Sequence, residues 1–266
     1  MTRPADTMPT LVVRLRQLKL PSFVAAYEPF ARQAEQDGWP PLEYLGRLVE
    51  LELTERHQRR IERLRTGAGL PADKTLGALK LEKLPAKVRR QVPALCAGGF
   101  VARAENVLAF GLPGRGKTHL LAAIGHELVQ RGYAVLFTPA YRLVQRLLAA
   151  KRDLLLAREL KRLDAYDAVI LDDLGYVQQD REEMEVLFTF LSERYERRSV
   201  LITSNLVFSQ WDQIFKNPMT TMAAIDRLVH HAIILELTGP SIREEEARAG
   251  LRPGAGTQLP GAEVTP

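Results

Sequence analysis

Asn106-Val107-Leu108-Ala109-Phe110-Gly111-Leu112-Pro113-Gly114-Arg115-Gly116-Lys117-Thr118 joins a short apolar run to a glycine-rich turn, then to a lysine and a threonine that open a helical pattern. Val107 to Phe110 predicts a buried strand and His119 to Ile124 the first turns of a helix. A triphosphate is a dense cluster of negative oxygens, best met by donors that approach closely and need no reorganisation. Gly111, Gly114 and Gly116 let successive backbone N–H groups turn inward around such a cluster. The helix adds the positive end of its dipole, Lys117 reaches the β- and γ-phosphates, and the Thr118 hydroxyl suits Mg²⁺. At ordinary glycine usage, a chance match to this pattern arises on the order of once in a hundred chains of this length. The stretch therefore reads as a phosphate-binding loop.

Downstream, short β-rich runs alternate with helical stretches: Tyr133 to Thr138, Ala168 to Asp172, Ser199 to Thr203 and Ala232 to Leu237. The runs are apolar throughout, as strands covered on both faces are, so an α/β fold with a parallel sheet is expected. Asp172 and Asp173 close the third strand at its carboxyl end, where open α/β sheets bind ligands. Asp172 suits a metal role and Asp173 the orientation or deprotonation of a water. Thr203-Ser204-Asn205 ends the next strand and should lie beside Asp172, with Asn205 in reach of a γ-phosphate. Arg227 precedes the last strand in a helical stretch. His230 and His231 invite a metal reading, but neighbours on one helix point about 100° apart, so a structural role is favoured.

Ahead of the loop, the pattern is helical. Leu11 to Leu20 has helical spacing, Pro21-Ser22 offers a stop and an N-cap, and a second helix runs through Phe23, Tyr27 and Phe30. After Gly38-Trp39-Pro40, a long third helix begins near Pro41, with Leu42, Leu45, Leu48, Val49 and Leu51 as its core stripe. Residues 1–66 thus read as a small all-α domain, 67–100 as a connector, 101–243 as the nucleotide-binding domain and 244–266 as a disordered tail.

The chain has 266 residues and a net charge of +5. The excess is local: residues 1–105 carry 18 Lys and Arg against 12 Asp and Glu, while 106–266 carry 19 against 20. A basic first third favours an anionic partner, nucleic acid ahead of membrane. Arg56, Arg60 and Arg63 share one face of the third helix and are candidate phosphate contacts. Tyr141 to Arg162 is long enough for two helices, with Lys151 and Arg152 among its basic residues and Leu143, Leu147, Leu148 and Leu155 expected inside. A single cysteine, Cys96, excludes a disulfide framework and a cysteine metal cluster. No apolar leader or membrane-length run is present, so a cytoplasmic protein without membrane partners is expected.

Taken together, the motifs resemble those of the IstB-type ATPases that assist insertion-sequence transposition, a branch of the AAA+ superfamily close to DnaC-type helicase loaders. The resemblance rests on Gly111 to His119, Leu171-Asp172-Asp173-Leu174-Gly175-Tyr176, Thr203 to Leu206 with Phe208-Ser209-Gln210-Trp211, and Ala224 to His231, and it extends over residues 10–243. It implies a five-stranded parallel sheet of order 5-1-4-3-2, ATP and Mg²⁺ bound between subunits of a homo-oligomer, duplex DNA gripped with little sequence preference, and a transposase as partner. It also implies a nucleotide site of Gly111, Pro113, Gly114, Arg115, Gly116, Lys117, Thr118 and His119, with Thr118 and Asp172 on the metal. Asp173 becomes the catalytic base, Asn205 the first sensor and Arg227 an arginine finger. Arg243 matches a second phosphate contact, although Ile242 stands where the family tends to carry tyrosine. The alternative readings are a replicative helicase loader and, from another class, a small-molecule P-loop kinase.

Overall fold

A computed structural model describes residues 7–174, 181–206, 226, 228–239, 241 and 242. The chain forms two compact units, residues 1–67 with 130–132, and residues 68–129 with 133 onward.

In the first unit, three helices follow the breaks in the sequence: α1 (Thr7–Gln17), α2 (Pro21–Asp37) and α3 (Pro41–Gly67). Gly38 ends α2 at φ +69, the left-handed cap that glycine adopts without steric cost. Leu15, Ala26, Leu48 and Ile61 are buried. Two details differ from the expectations. Ser22 is not a side-chain cap; its N–H donates instead to Glu52 Oε2 at 2.9 Å. The apolar stripe of α3 is buried only in part: Leu48 is enclosed, but Leu42, Leu45 and Val49 are exposed, Leu42 at 82%, while Glu52 is 3% exposed. Arg56 Nε at 2.7 Å and Arg59 at 3.4 Å complete the shell around the Glu52 carboxylate, which makes an acidic residue tolerable inside.

The second unit carries five strands: β1 (Asn106–Phe110), β2 (Val135–Pro139), β3 (Ala168–Asp172), β4 (Ser199–Ser204) and β5 (Ala232–Glu236). All pair in parallel, in the order β2-β3-β4-β1-β5. The order is the expected 5-1-4-3-2 read from the other edge. One face, with Leu108, Phe110, Val169, Leu171, Val200 and Ile202, packs against α7 (Ala140–Arg152) and α9 (Arg181–Arg194). On the other face lies α6 (Lys117–Gln130), whose Leu120, Leu121, Ile124 and Leu128 are fully buried. Fully burying each such side chain contributes about 1.5–3 kcal/mol. Contact is close here: a Cβ on Gly125 would come to 2.8 Å from both Ile170 Cδ1 and Leu70 Cδ2.

Residues 68–100 belong to this second unit. They comprise an irregular stretch, a 3₁₀ turn (Leu81–Lys83), α4 (Ala86–Ala97) and the start of α5 (Gly99–Ala102), with Leu79, Leu84, Val88, Val92, Leu95 and Phe100 buried. The backbone of Phe137 donates to the Ala68 carbonyl at 2.7 Å, tying the stretch to β2. Between β2 and β3 stand two helices, α7 and α8 (Leu156–Leu163). Leu143, Leu147 and Leu148 are buried, but Leu155 is 47% exposed, because it lies at the bend between the helices. The tail from 244 falls outside the described residues.

Candidate nucleotide site

Parallel pairing puts the carboxyl ends of β1, β4 and β3 side by side. Each end carries one component of the site: the glycine-rich loop after β1, Asn205 after β4, and Asp172 with Asp173 after β3. The loop bends through backbone that only glycine takes readily, Gly111 at φ +151, Gly114 at +79 and Gly116 at +83. At Gly111 the requirement is also steric, since a Cβ would collide with the Leu237 carbonyl. Leu237 in turn donates its N–H to the Phe110 carbonyl at 2.7 Å, so β5 fixes where the loop begins.

Lys117, the first residue of α6, is buried, and its Nζ donates to three oxygens: Gly111 O at 2.6 Å, Leu112 O at 3.0 Å and Asn205 Oδ1 at 2.6 Å. The ammonium thus bridges the loop and the end of β4. A cavity of about 440 Å³ opens above it, lined by Pro113, Gly114, Arg115, Gly116, Lys117, Thr118, His119, Asp173 and Asn205. Arg115 also donates to the Leu237 carbonyl at 3.4 Å. His119 Nε2 lies 3.1 Å from the Thr75 carbonyl, so this ring meets the chain ahead of the loop. Asp172 is not among the lining residues; its Oδ1 accepts from the Thr203 hydroxyl at 2.7 Å. Hard oxygen donors, the Thr118 hydroxyl and the Asp172 and Asp173 carboxylates, are the kind that suit Mg²⁺.

Two contributions to the site escape a reading of motifs. Thr203 is fully buried, and besides donating to Asp172 its hydroxyl accepts the Asp173 N–H at 2.8 Å. Asp173 has φ +57, a left-handed conformation costly for a non-glycine residue, and the Thr203 bond holds it there. Its signal in the sequence was only adjacency to Ser204-Asn205. The second contribution is Asp73, Lys74, Leu79 and Lys80, which form one wall of the cavity. Nothing in their composition marks them. Ile242 closes the cavity from another side, its N–H bonded to the Gly114 carbonyl at 3.0 Å.

Arg227 and Arg243 are outside the described residues, as are Gly175 to Tyr176 and Phe208 to Trp211. Arg56, Arg60 and Arg63 are exposed on α3 in the first unit. Lys151 pairs with Glu185 at 3.0 Å, and Arg152 is exposed at the end of α7. No described helix is long and apolar enough to cross a membrane.

Similarity to known proteins agrees with this geometry. The solved structures it resembles include that of DnaI, at a TM-score of 0.54 and 23% identity over 64% of this chain and 96% of that one. AMPPCP-bound DnaA from Aquifex aeolicus aligns at a TM-score of 0.52 and 19% identity, over 69% and 56%. At such identities the likeness concerns the fold alone. Sequence relatives are nearer. An insertion sequence ATP-binding protein of Sinorhizobium fredii is 45% identical over 91% of this chain and 82% of its own length. The IS21 insertion sequence ATP-binding protein of Pseudomonas aeruginosa is 37% identical over 91% of each. The model of the IstB-like ATP binding protein family matches residues 13–250, a span that takes in the glycine-rich loop, the paired aspartates and Asn205. The chain belongs to the family of IstB-like ATP binding proteins.

Proposed function

We propose that this chain is an ATP-hydrolysing helper of insertion-sequence transposition, which assembles as a homo-oligomer on duplex DNA and recruits or activates a transposase. The observation that carries the reading is the convergence of Lys117, Asp173 and Asn205 around one cavity at the ends of three adjacent strands, in a chain whose relatives are insertion sequence ATP-binding proteins.

In this reading the backbone N–H groups of 111–118 and the Lys117 ammonium hold the β- and γ-phosphates of ATP. Thr118 and Asp172 would hold Mg²⁺, which supplies neutralising charge on the phosphate oxygens. Asp173 orients the attacking water and takes its proton. Asn205, already bonded to Lys117, contacts the γ-phosphate, and Arg227 of a neighbouring subunit stabilises the charge that develops in transfer. Arg243 adds a phosphate contact. Arg56, Arg60, Arg63, Lys151 and Arg152 meet DNA phosphates, which implies weak sequence preference and a steep response to salt.

The test is steady-state hydrolysis with and without duplex DNA across a salt series. Expected are stimulation by DNA that fades as salt rises, and loss of the stimulated rate in Arg227→Ala with nucleotide binding intact. DNA-independent hydrolysis, or an undiminished rate in Arg227→Ala, refutes the oligomeric reading. Capture of a replicative helicase rather than a transposase would reassign the chain as a helicase loader.

A further inference from the structure

A second group of metal-ligating side chains sits at the amino-terminal end of the strands, the end opposite the nucleotide cavity. Glu196 lies in the turn between α9 and β4, and His230 and His231 immediately precede β5. Each of the three offers one ligand atom, and these atoms lie within 4.8 Å of one another. His231 Nε2 stands 3.7 Å from Glu196 Oε1. The two imidazole rings are 4.1 Å apart between centroids, inclined at 48°. They converge because residues 230 and 231 have left the helix for a turn, which removes the 100° divergence of helical neighbours.

The backbone that carries them is fixed. Asn106 at the start of β1 donates its N–H to the His231 carbonyl at 3.0 Å, donates from its side chain to the Leu228 carbonyl at 3.2 Å, and accepts the Val200 N–H at 2.9 Å. The Tyr195 hydroxyl is 2.8 Å from His230 Nδ1 and orients that ring. Close by, Glu105 is clamped by Arg103 through two contacts of 2.8 Å.

Stability does not account for the arrangement. An exposed histidine–glutamate pair is screened by water and adds little to the fold. Two imidazoles and a carboxylate are, however, a donor set for borderline dications. Zn²⁺ bonds of about 2.1 Å require donors about 3.4 Å apart in a tetrahedron, and exposed side chains close the remaining gap by rotamer adjustment with the backbone in place.

We propose that Glu196, His230 and His231 form a binding site for a transition-metal dication of the Zn²⁺ class, with water in the fourth position. The ion ties the α9–β4 turn to the segment entering β5, independently of the nucleotide site and of its proposed role.

The experiment uses the full chain, stripped with a chelator and titrated with Zn²⁺ against a chromophoric competitor at about pH 7.5. Excess Mg²⁺ is present to occupy sites made of oxygen alone. The wild type should take up one equivalent. His231→Ala and Glu196→Gln should each weaken binding by about tenfold or more, with unchanged far-ultraviolet circular dichroism, while His57→Gln should leave it unchanged. Co²⁺ in place of Zn²⁺ should give visible bands that His231→Ala removes. Failure to bind one equivalent, equal affinity in wild type and His231→Ala, or loss of binding in His57→Gln overturns the assignment.

Discussion

Thr203→Val keeps the shape of a fully buried side chain and replaces its hydroxyl with a methyl group, so no cavity opens. Two hydrogen bonds vanish, the 2.7 Å donation to Asp172 and the 2.8 Å acceptance from the Asp173 N–H. A bond to an ionised carboxylate contributes about 1.5–3 kcal/mol and one between neutral groups about 0.5–1.5 kcal/mol. The expected loss is therefore about 2–4 kcal/mol in the folded state. For a chain of this size each kcal/mol lowers Tm by roughly 2–4 °C, so thermal unfolding should shift by roughly 4 °C or more. The effect on hydrolysis should be larger in proportion. Asp173 occupies left-handed backbone at φ +57, and without the Thr203 bond it relaxes toward a more ordinary conformation. A displacement of about 1 Å in a group that orients water costs on the order of a hundredfold in rate. The assay is steady-state ATP hydrolysis over a Mg²⁺ titration, with nucleotide binding measured separately. Thr203→Val should lose about tenfold to a hundredfold in kcat and require more Mg²⁺, while nucleotide affinity without metal is retained. Thr203→Ser, which keeps the hydroxyl, should recover most of the rate. Thr203→Val with the wild-type kcat and Mg²⁺ dependence would refute the positioning role.

Three further outcomes are expected. Lys117→Ala removes the ammonium that joins Gly111, Leu112 and Asn205, and should weaken nucleotide binding by about 2–5 kcal/mol; unchanged affinity by calorimetry would remove Lys117 from the phosphate site. Gly111→Ala forces a methyl group against the Leu237 backbone and should lower Tm and abolish nucleotide binding together; a variant as stable as the wild type would mean that β5 yields at that point. Burial pushes the Glu52 carboxyl up, but hydrogen bonds from Arg56 and Ser22 outweigh it and the group titrates below its ordinary 4.5. With the folded value depressed, its stabilisation is present above pH 4.5 and is lost as pH falls through the folded value. Amide protection factors in the first unit, taken against the intrinsic exchange rate at each pH, should therefore fall in acid in the wild type and show a flatter acid dependence in Glu52→Gln, whereas identical profiles would dismiss the linkage.

What was legible beforehand had strong local causes. The loop could be read because glycine, lysine and threonine at that spacing have one common use, and β1, β3 and β4 because strands covered on both faces carry unbroken apolar runs. The sheet order came with the family resemblance rather than from the strands themselves. Less legible were features decided by partners distant in sequence. Ser22 looks like a cap until Glu52, thirty residues on, claims its N–H. Leu42 and Leu45 look like core because leucine on a helix usually is, yet of that stripe Leu48 is the enclosed one, and Glu52 is buried beside it, accepted only because Arg56 and Arg59 meet it. Thr203 is visible only as the first residue of the Thr203-Ser204-Asn205 run, since its importance lies in bonds to Asp172 and Asp173 at the end of the neighbouring strand. His230 and His231 look like diverging helical neighbours, but the helix ends just before them.

The stretch ahead of the glycine-rich loop bears on how this protein can be divided. Two histidines of α6 reach it, His119 at the Thr75 carbonyl and His126 at the Pro71 carbonyl, 2.9 Å away. Leu70 packs beside Gly125 of the same helix. A nucleotide-binding fragment cut at residue 101, where the sequence alone would place the border, loses a wall of its own cavity and bares α6. One begun at Ala68 keeps both, so the natural seam for dissection or for swapping parts between relatives lies about thirty residues earlier than the motifs indicate.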